Sequence, residues 1–217
     1  MHAVPLKPQY RPTLAQLLAP AWGRASRAVR IVLVLVGVGL VLGAAGLALT
    51  LLPAHYSYGG GPVPFSFSYR GLYSTAPDGG GYVKVVRRTP SGRLLDSYAV
   101  APVELPPYSG YPSGELPLYA TTYIRALAAE YPGFQLQGEG KTRVNSVPAY
   151  NIYYYARVRG RTMYGRNVLL VAERPGTRRG LAITMLTAPD AAPQVTAPLL
   201  VASVGVLQEP LRTFSFG

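Results

Sequence analysis

The chain contains no cysteine. Disulfides, thiolate metal sites, cysteine nucleophiles and a lipid-modified N-terminal cysteine are therefore excluded. Histidine is almost as scarce. Its two copies, His2 and His55, lie outside the stretch that reads as a folded domain, so Ser-His pairs and histidine-rich metal sites are excluded there too. Acidic residues number nine: Asp78, Asp96, Glu104, Glu115, Glu130, Glu139, Glu173, Asp190 and Glu209. A glycosidase needs two carboxylates facing one cleft, and none of these nine pairs within a recognisable motif. The sequence assigns no catalytic residue, no metal ligand and no cofactor-binding residue. Charged residues make up only 14%, but the hydrophobic fraction of 49% is that of a foldable chain.

What the chain does have is positive charge and one long apolar run. The net charge is +12. Lys7, Arg11, Arg24, Arg27 and Arg30 precede the run with no acidic residue among them, and beyond it 16 basic residues stand against nine acidic ones. Cationic surfaces attract nucleic acid, anionic lipid and anionic polymers alike, so charge by itself names no partner.

The run itself is Ile31 to Leu52, IVLVLVGVGLVLGAAGLALTLL. Its 22 uncharged residues make a helix of about 33 Å, enough for a hydrocarbon core of about 30 Å. Fourteen are Leu, Ile or Val, each favouring insertion by about 0.3–0.6 kcal/mol at the helix centre. A cleaved signal peptide has a shorter apolar region and a small-x-small exit, whereas this run leaves through LTLLPAHY. The expectation is a retained signal-anchor that contacts membrane lipid through residues 31–52. Basic residues crowd only its N-terminal flank, where Trp22 also sits. The positive-inside rule then puts residues 1–30 in the cytoplasm and the domain outside the cell membrane, a single-pass topology. Gly39 and Gly43 form a small-xxx-small pair, the candidate helix–helix contact of the span, at a spacing that apolar helices also contain by chance.

Pro53 to Pro64 reads as a Gly/Pro linker, with Tyr56 and Tyr58 as interface anchors. The folded domain spans 65–217. Strands are expected at Phe65–Arg70, Tyr82–Arg88 and Leu94–Val103, separated by APDGGG and TPSGR. Leu116 to Tyr131 changes to a period of three and four, an amphipathic helix with Ser113 and Glu115 as acceptors near its start and Pro132-Gly133 as its stop. Longer strands follow: Phe134–Val144, Ala149–Val158, Thr162–Glu173 and Gly180–Ala188. In the second of these, Tyr150, Ile152, Tyr154, Ala156 and Val158 face one way and Asn151, Tyr153, Tyr155 and Arg157 the other. NSVP and Arg159-Gly160-Arg161 are tight turns, which implies an antiparallel meander. Pro198 to Gln208 reads as a second apolar helix. The class is α+β, a curved antiparallel sheet with helices packed on it.

The order of these elements, with a helix ending AAEYPGF, then GEGKTRVNSVPAYNIYYYARV, YGRNVLLVAE and GLAITML, resembles the PsbP-like superfamily, which includes PsbP, DcrB-like and LpqN-type envelope proteins. The similar stretch runs from Phe65 to Phe216 and centres on Pro148-Ala149-Tyr150 followed by three antiparallel strands. The resemblance implies an α-β-α sandwich and a mostly non-enzymatic, partner-binding role. The chain departs from the lipoprotein members in using a helix where they use a lipidated cysteine.

Two motifs mislead. GEGKT at Gly138–Thr142 imitates the end of a phosphate loop, but Gln135 stands where the motif needs glycine and no helix follows. The basic groups RVRGR, RPGTRR and Arg87-Arg88-Arg93 are dispersed over separate turns, so specific nucleic-acid binding is not expected. Tyrosine is the unusual component, with 17 copies against five Phe and one Trp. Its broad apolar face and polar tip suit half-buried positions and interfaces, and core packing explains the same abundance. The expected function is a non-catalytic, membrane-anchored envelope protein, an accessory subunit or binding module for a protein partner. Tyr153, Tyr155 and Arg157 are its candidate contacts. The alternative is an envelope hydrolase or transferase that works through carboxylates or tyrosine.

Overall fold

The structure is a computed structural model describing residues 26–60, 63–171 and 178–216. It divides into two compact units, Met1–Leu52 and Pro53–Gly217. Residues 1–25 of the basic arm, Trp22 among them, and most of the RPGTRR turn lie outside the described residues.

Among the described residues the first unit contains one helix, α1, Arg27–Leu51. At 1.5 Å per residue it is about 38 Å long, and it is long and apolar enough to cross a membrane. Its described apolar side chains are exposed, Leu35, Leu40, Val41 and Leu42 each by 65% or more. A soluble helix would bury such a surface, and this one is compatible with a membrane anchor.

The second unit is α+β. It has strands β1 (Ala54–Tyr58), β2 (Phe65–Tyr69), β3 (Tyr73–Thr75), β4 (Val83–Arg88) and β5 (Leu94–Glu104), then helix α2 (Pro112–Glu130). Strands β6 (Gln135–Val144), β7 (Val147–Val158), β8 (Arg161–Val171) and β9 (Arg179–Thr187) follow. A 3-10 turn at Pro198–Leu200, a short helix α3 (Gln208–Arg212) and strand β10 (Ser215–Phe216) complete it. The main sheet is antiparallel in the order β3-β4-β5-β9-β8-β7-β6, and a small sheet has the order β1-β2-β10. Strands β6 to β9 form the expected meander, and β9 then pairs with β5, closing the two halves of the domain into one sheet.

Turn chemistry fixes the register. Asn145 and Ser146 take φ of 47° and 73°, and Arg159 and Gly160 take 52° and 77°. Two consecutive left-handed residues make the two-residue hairpin turns whose twist matches paired strands. The β7 alternation then points Tyr150, Ile152, Tyr154 and Ala156 at one core with Leu116, Ala120 and Leu127 of α2. The opposite face buries Val85, Tyr98, Val168, Leu170 and Ile183 against the small sheet and the C-terminal segment. Each fully buried apolar side chain contributes about 1.5–3 kcal/mol, so both faces of the sheet are essential to the fold.

Three expectations need correction. The stretch 53–64 is more than a linker: it carries β1, which pairs with β2, and Tyr58 stacks on Tyr82 at 4.4 Å and on Phe65 at 5.4 Å. Tyr56 and Tyr58 therefore cap the aromatic core and are not free anchors. The same strand brings His55 into the domain, against the expectation of a histidine-free fold, with Nδ1 3.2 Å from Ser68 Oγ on an exposed edge. The second apolar helix over Pro198–Gln208 does not form. Ala202 and Gly205 take φ of 59° and 81°, which break a right-handed helix, and the segment folds as tight turns filling the second core. Helix α2 begins earlier than expected, at Pro112. Its N-cap is Tyr111, with no side-chain cap, so Glu115 does not serve as a capping acceptor.

Candidate functional site

The face of β7 turned away from α2 carries the predicted contact residues. Tyr153 stands directly opposite Arg166 of β8, and Tyr155 opposite Tyr164. The Arg166 guanidinium lies 5.3 Å from the Tyr153 ring centroid, a cation–π arrangement, and Tyr155 meets Tyr164 edge-on at 5.5 Å. On the other side Tyr153 pairs with Gly138 and Asn151 with Gly140 of the edge strand β6. A side chain at Gly140 would meet nothing within 4 Å. A side chain at Gly138 would touch the Tyr153 ring at 4.0 Å, so the two glycines keep this stretch of β6 free of side chains. Tyr153 and Tyr155 stand half-buried beside it, while the Pro198–Leu200 turn packs on β6, β7 and β8. Arg157 is exposed, but it is set apart: its aliphatic stem lies against Gly133 and its backbone N–H donates to Pro132 O at 2.8 Å. The structure joins Tyr153 and Tyr155 into one surface and places Arg157 at its end, by the turn after α2.

The residue that organises this surface is Arg166, which motif reasoning does not single out. It is buried at 8% exposure. Its Nε and Nη2 each donate to Asn151 Oδ1 at 3.1 Å, and Nη1 donates to Val201 O at 3.0 Å. Among the described residues no carboxylate pairs with it. Burial lowers its pKa from the ordinary arginine value. The available signal is its position: it falls in register with Tyr164, Val168 and Leu170, on a face that the period of two marks as inward.

A second cleft, of about 670 Å3, opens at the start of α2 between Glu104, Pro106, Tyr108, Glu115, Tyr119 and Arg178. Gly110 and Gly114 make room for the Tyr108 ring, which folds over them. Glu115 is 4% exposed, and its Oε1 has no hydrogen-bond partner among the described residues. Burial raises its pKa, while the positive charge of Arg178 pulls the other way. Three other carboxylates are committed to basic partners: Asp96 to Arg87 at 2.6 Å, Asp190 to Arg93 and Arg161 at 2.9 and 2.8 Å, and Asp78 to Lys84. Among the described residues no group of three or more His, Asp or Glu side chains is placed to hold a metal. Glycines Gly39 and Gly43 fall on one face of α1, one turn apart, with open space around both.

No protein-family description and no curated protein matches the chain in sequence. Solved structures do match in fold. The cyanobacterial PsbP (CyanoP) of Synechocystis sp. PCC 6803 aligns with a TM-score of 0.51 at 15% identity, covering 76% of this chain and 92% of that one. LpqN of Mycobacterium tuberculosis, described as involved in cell envelope biogenesis, aligns with a TM-score of 0.51 at 11% identity, covering 76% and 91%. The domain therefore has a PsbP-like α+β fold, in loose relationship to both. At such identities the likeness concerns fold alone.

Proposed function

We propose that this chain is a single-pass membrane-anchored envelope protein whose domain lies outside the cytoplasm and binds a protein partner as an accessory subunit, without catalysing a reaction. The observation that carries the reading is the half-buried Tyr153–Tyr155 surface beside a stretch of the edge strand where Gly138 and Gly140 place no side chain. Tyrosines held in place by Arg166 and Tyr164 offer large contact area at little further entropic cost. The basic excess of the domain favours a partner with an acidic rim. The exposed apolar surface of α1 supports the anchor, and the positive-inside rule supports its direction. An envelope role is also that of LpqN, a protein of similar fold.

The test is to purify the full chain from its native membrane in mild detergent and quantify what associates with it. Tyr153→Ala and Tyr155→Ala should each weaken that association about tenfold, a loss of about 1.4 kcal/mol. Arg157→Ala should act through the rim and salt dependence. Unchanged association in both tyrosine variants overturns the reading.

The alternative, a carboxylate-dependent hydrolase or transferase, has one observation in its favour: Glu104 and Glu115, whose Oε1 has no partner among the described residues, line the same cleft. Loss of an envelope-linked reaction in Glu115→Gln, with partner association intact, would establish it.

A further inference from the structure

Arg166 is the one buried arginine among the described residues, and its three bonds go to neutral oxygens, Asn151 Oδ1 twice and Val201 O. A guanidinium carries five N–H donors, so one hydrogen on Nη1 and one on Nη2 have no acceptor among the described residues. A buried charge is ordinarily retained where an opposite charge compensates it. Here no carboxylate among the described residues pairs with the charge, which has only the face of the Tyr153 ring beside it, and the cleft that Arg166 lines supplies more of the same sign.

That cleft has a volume of about 250 Å3, and its polar lining is Arg143, Asn145, Arg166, Ser203, Gln208 and Arg212, with no carboxylate among the lining residues. Its construction is specific. Arg143 and Asn145 come from the β6–β7 hairpin, whose two turn residues both have positive φ. Asn145 Nδ2 donates to Arg212 O at 3.0 Å and also to Phe214 O, which ties the hairpin to α3. The opposite wall is the turn at Val201–Ser203, where Ala202 sits in the left-handed region at φ 59°. A non-glycine residue there is strained, and such strain persists where the surroundings over-determine it, often at binding sites. Here it accompanies the backbone course in which Val201 O meets Arg166.

We infer that this cleft is a binding site for a phosphate-type oxyanion, held by Arg143, Arg166 and Arg212, and supplied either as free phosphate or as the phosphodiester headgroup of an anionic lipid. Planar guanidinium forks match a tetrahedral oxyanion through paired N–H···O bonds, which a halide ion does not exploit. An adjoining cleft of about 630 Å3 shares Gln208 and Arg212 and adds Arg70, Gln194 and Glu209. It offers room and polar partners for the remainder of a headgroup. The cleft shares Arg166 with the tyrosine surface, whose Tyr153 ring that guanidinium faces, but its other two ligands, Arg143 and Arg212, belong to the cleft alone, so a variant of those two tests it separately.

The test uses the full chain in a neutral detergent and phosphate-free buffer. Thermal unfolding is followed during titration with sodium phosphate, and separately with sodium chloride at matched ionic strength. In a second arm the chain is placed in nanodiscs of phosphatidylcholine, alone or with phosphatidylglycerol. Arg166→Gln removes the buried ligand but also perturbs the core, so the deciding variant is R143Q/R212Q, whose two side chains are exposed. Phosphate should raise the melting temperature where chloride does not, and R143Q/R212Q should weaken apparent phosphate affinity by about tenfold or more while unfolding normally without ligand. Protection by phosphatidylglycerol discs that added phosphate cannot increase identifies the lipid headgroup as the source. Protection by added phosphate alone identifies the free ion. If neither phosphate nor phosphatidylglycerol shifts unfolding beyond its control, or if the double variant responds like the parent, the inference is wrong.

Discussion

The Tyr154 hydroxyl donates to Asn167 Oδ1 at 2.7 Å, deep between the main sheet and α2. Asn167 Nδ2 in turn donates to Tyr123 Oη at 2.8 Å and Thr184 Oγ1 at 2.9 Å. One fully buried amide thus satisfies polar groups from β7, β9 and α2 at once. Burial raises the pKa of both phenols, so each stays a neutral hydroxyl through the physiological range.

Asn167→Leu should therefore destabilise the domain strongly, at about 1–3 kcal/mol for each group left without a partner. Adding Tyr154→Phe removes one orphaned hydroxyl and should return part of that loss. Denaturant unfolding of the two single variants and the double variant measures the coupling. A neutral Asn167→Leu would show that the network contributes nothing to stability.

The position of β1 sets where the domain can be cut. Its pairing with β2 covers Phe65 and Tyr82 with Tyr56 and Tyr58. A fragment of residues 53–217 should unfold cooperatively with a mixed helix–strand spectrum. A fragment starting at 65 exposes that aromatic cluster and should be less stable by about 2–4 kcal/mol. Equal stability of the two would mean that β1 adds only surface pairing.

Much of this architecture is readable along the chain, and the exceptions share a cause. The period of two in Ala149–Val158 assigns both faces of β7, and Asn-Ser and Arg-Gly mark its two turns. Such signals are local. Strand β1 hides in AHYSY because its partner is supplied by β2 and its flanks are glycine and proline. The stretch PLLVASVGVLQ is apolar enough for a helix, yet it folds as turns, because Val201 and Leu207 must reach a core assembled from strands far away in sequence. The same holds for the candidate sites. Tyr153 and Tyr155 follow from alternation, whereas the setting of Arg166 depends on Asn151, Val201 and Arg212, which only the tertiary fold brings together.

Glu115 offers a pH signature. Burial holds its folded-state pKa above the unfolded value of about 4.3, with Arg178 opposing the shift. For a group shifted upward, the contribution to stability is complete below the unfolded pKa and is lost as pH rises through the folded pKa. Glu115→Gln should accordingly raise the melting temperature near pH 7, leave it nearly unchanged near pH 3, and flatten the profile between. A lower melting temperature in the variant at pH 7 would instead mean that the carboxylate is stabilised as a charge, by Arg178 or by the N-terminal end of α2.

The absence of cysteine makes membrane direction directly measurable, because any thiol introduced is the only one present. Ser109 is exposed in the loop before α2, and Thr13 lies in the basic arm. With five basic residues before Ile31 and none in the segment just after Leu52, the expected orientation is arm inside and domain outside. In intact cells or spheroplasts, a membrane-impermeant maleimide should label Ser109→Cys and spare Thr13→Cys, and disrupting the membrane should expose both. The reverse pattern would invert the topology and, with it, the compartment in which a partner of Tyr153 and Tyr155 must be sought. Labelling of both sites in intact cells would mean that α1 does not hold the chain across a sealed bilayer, despite a length and composition sufficient to span one.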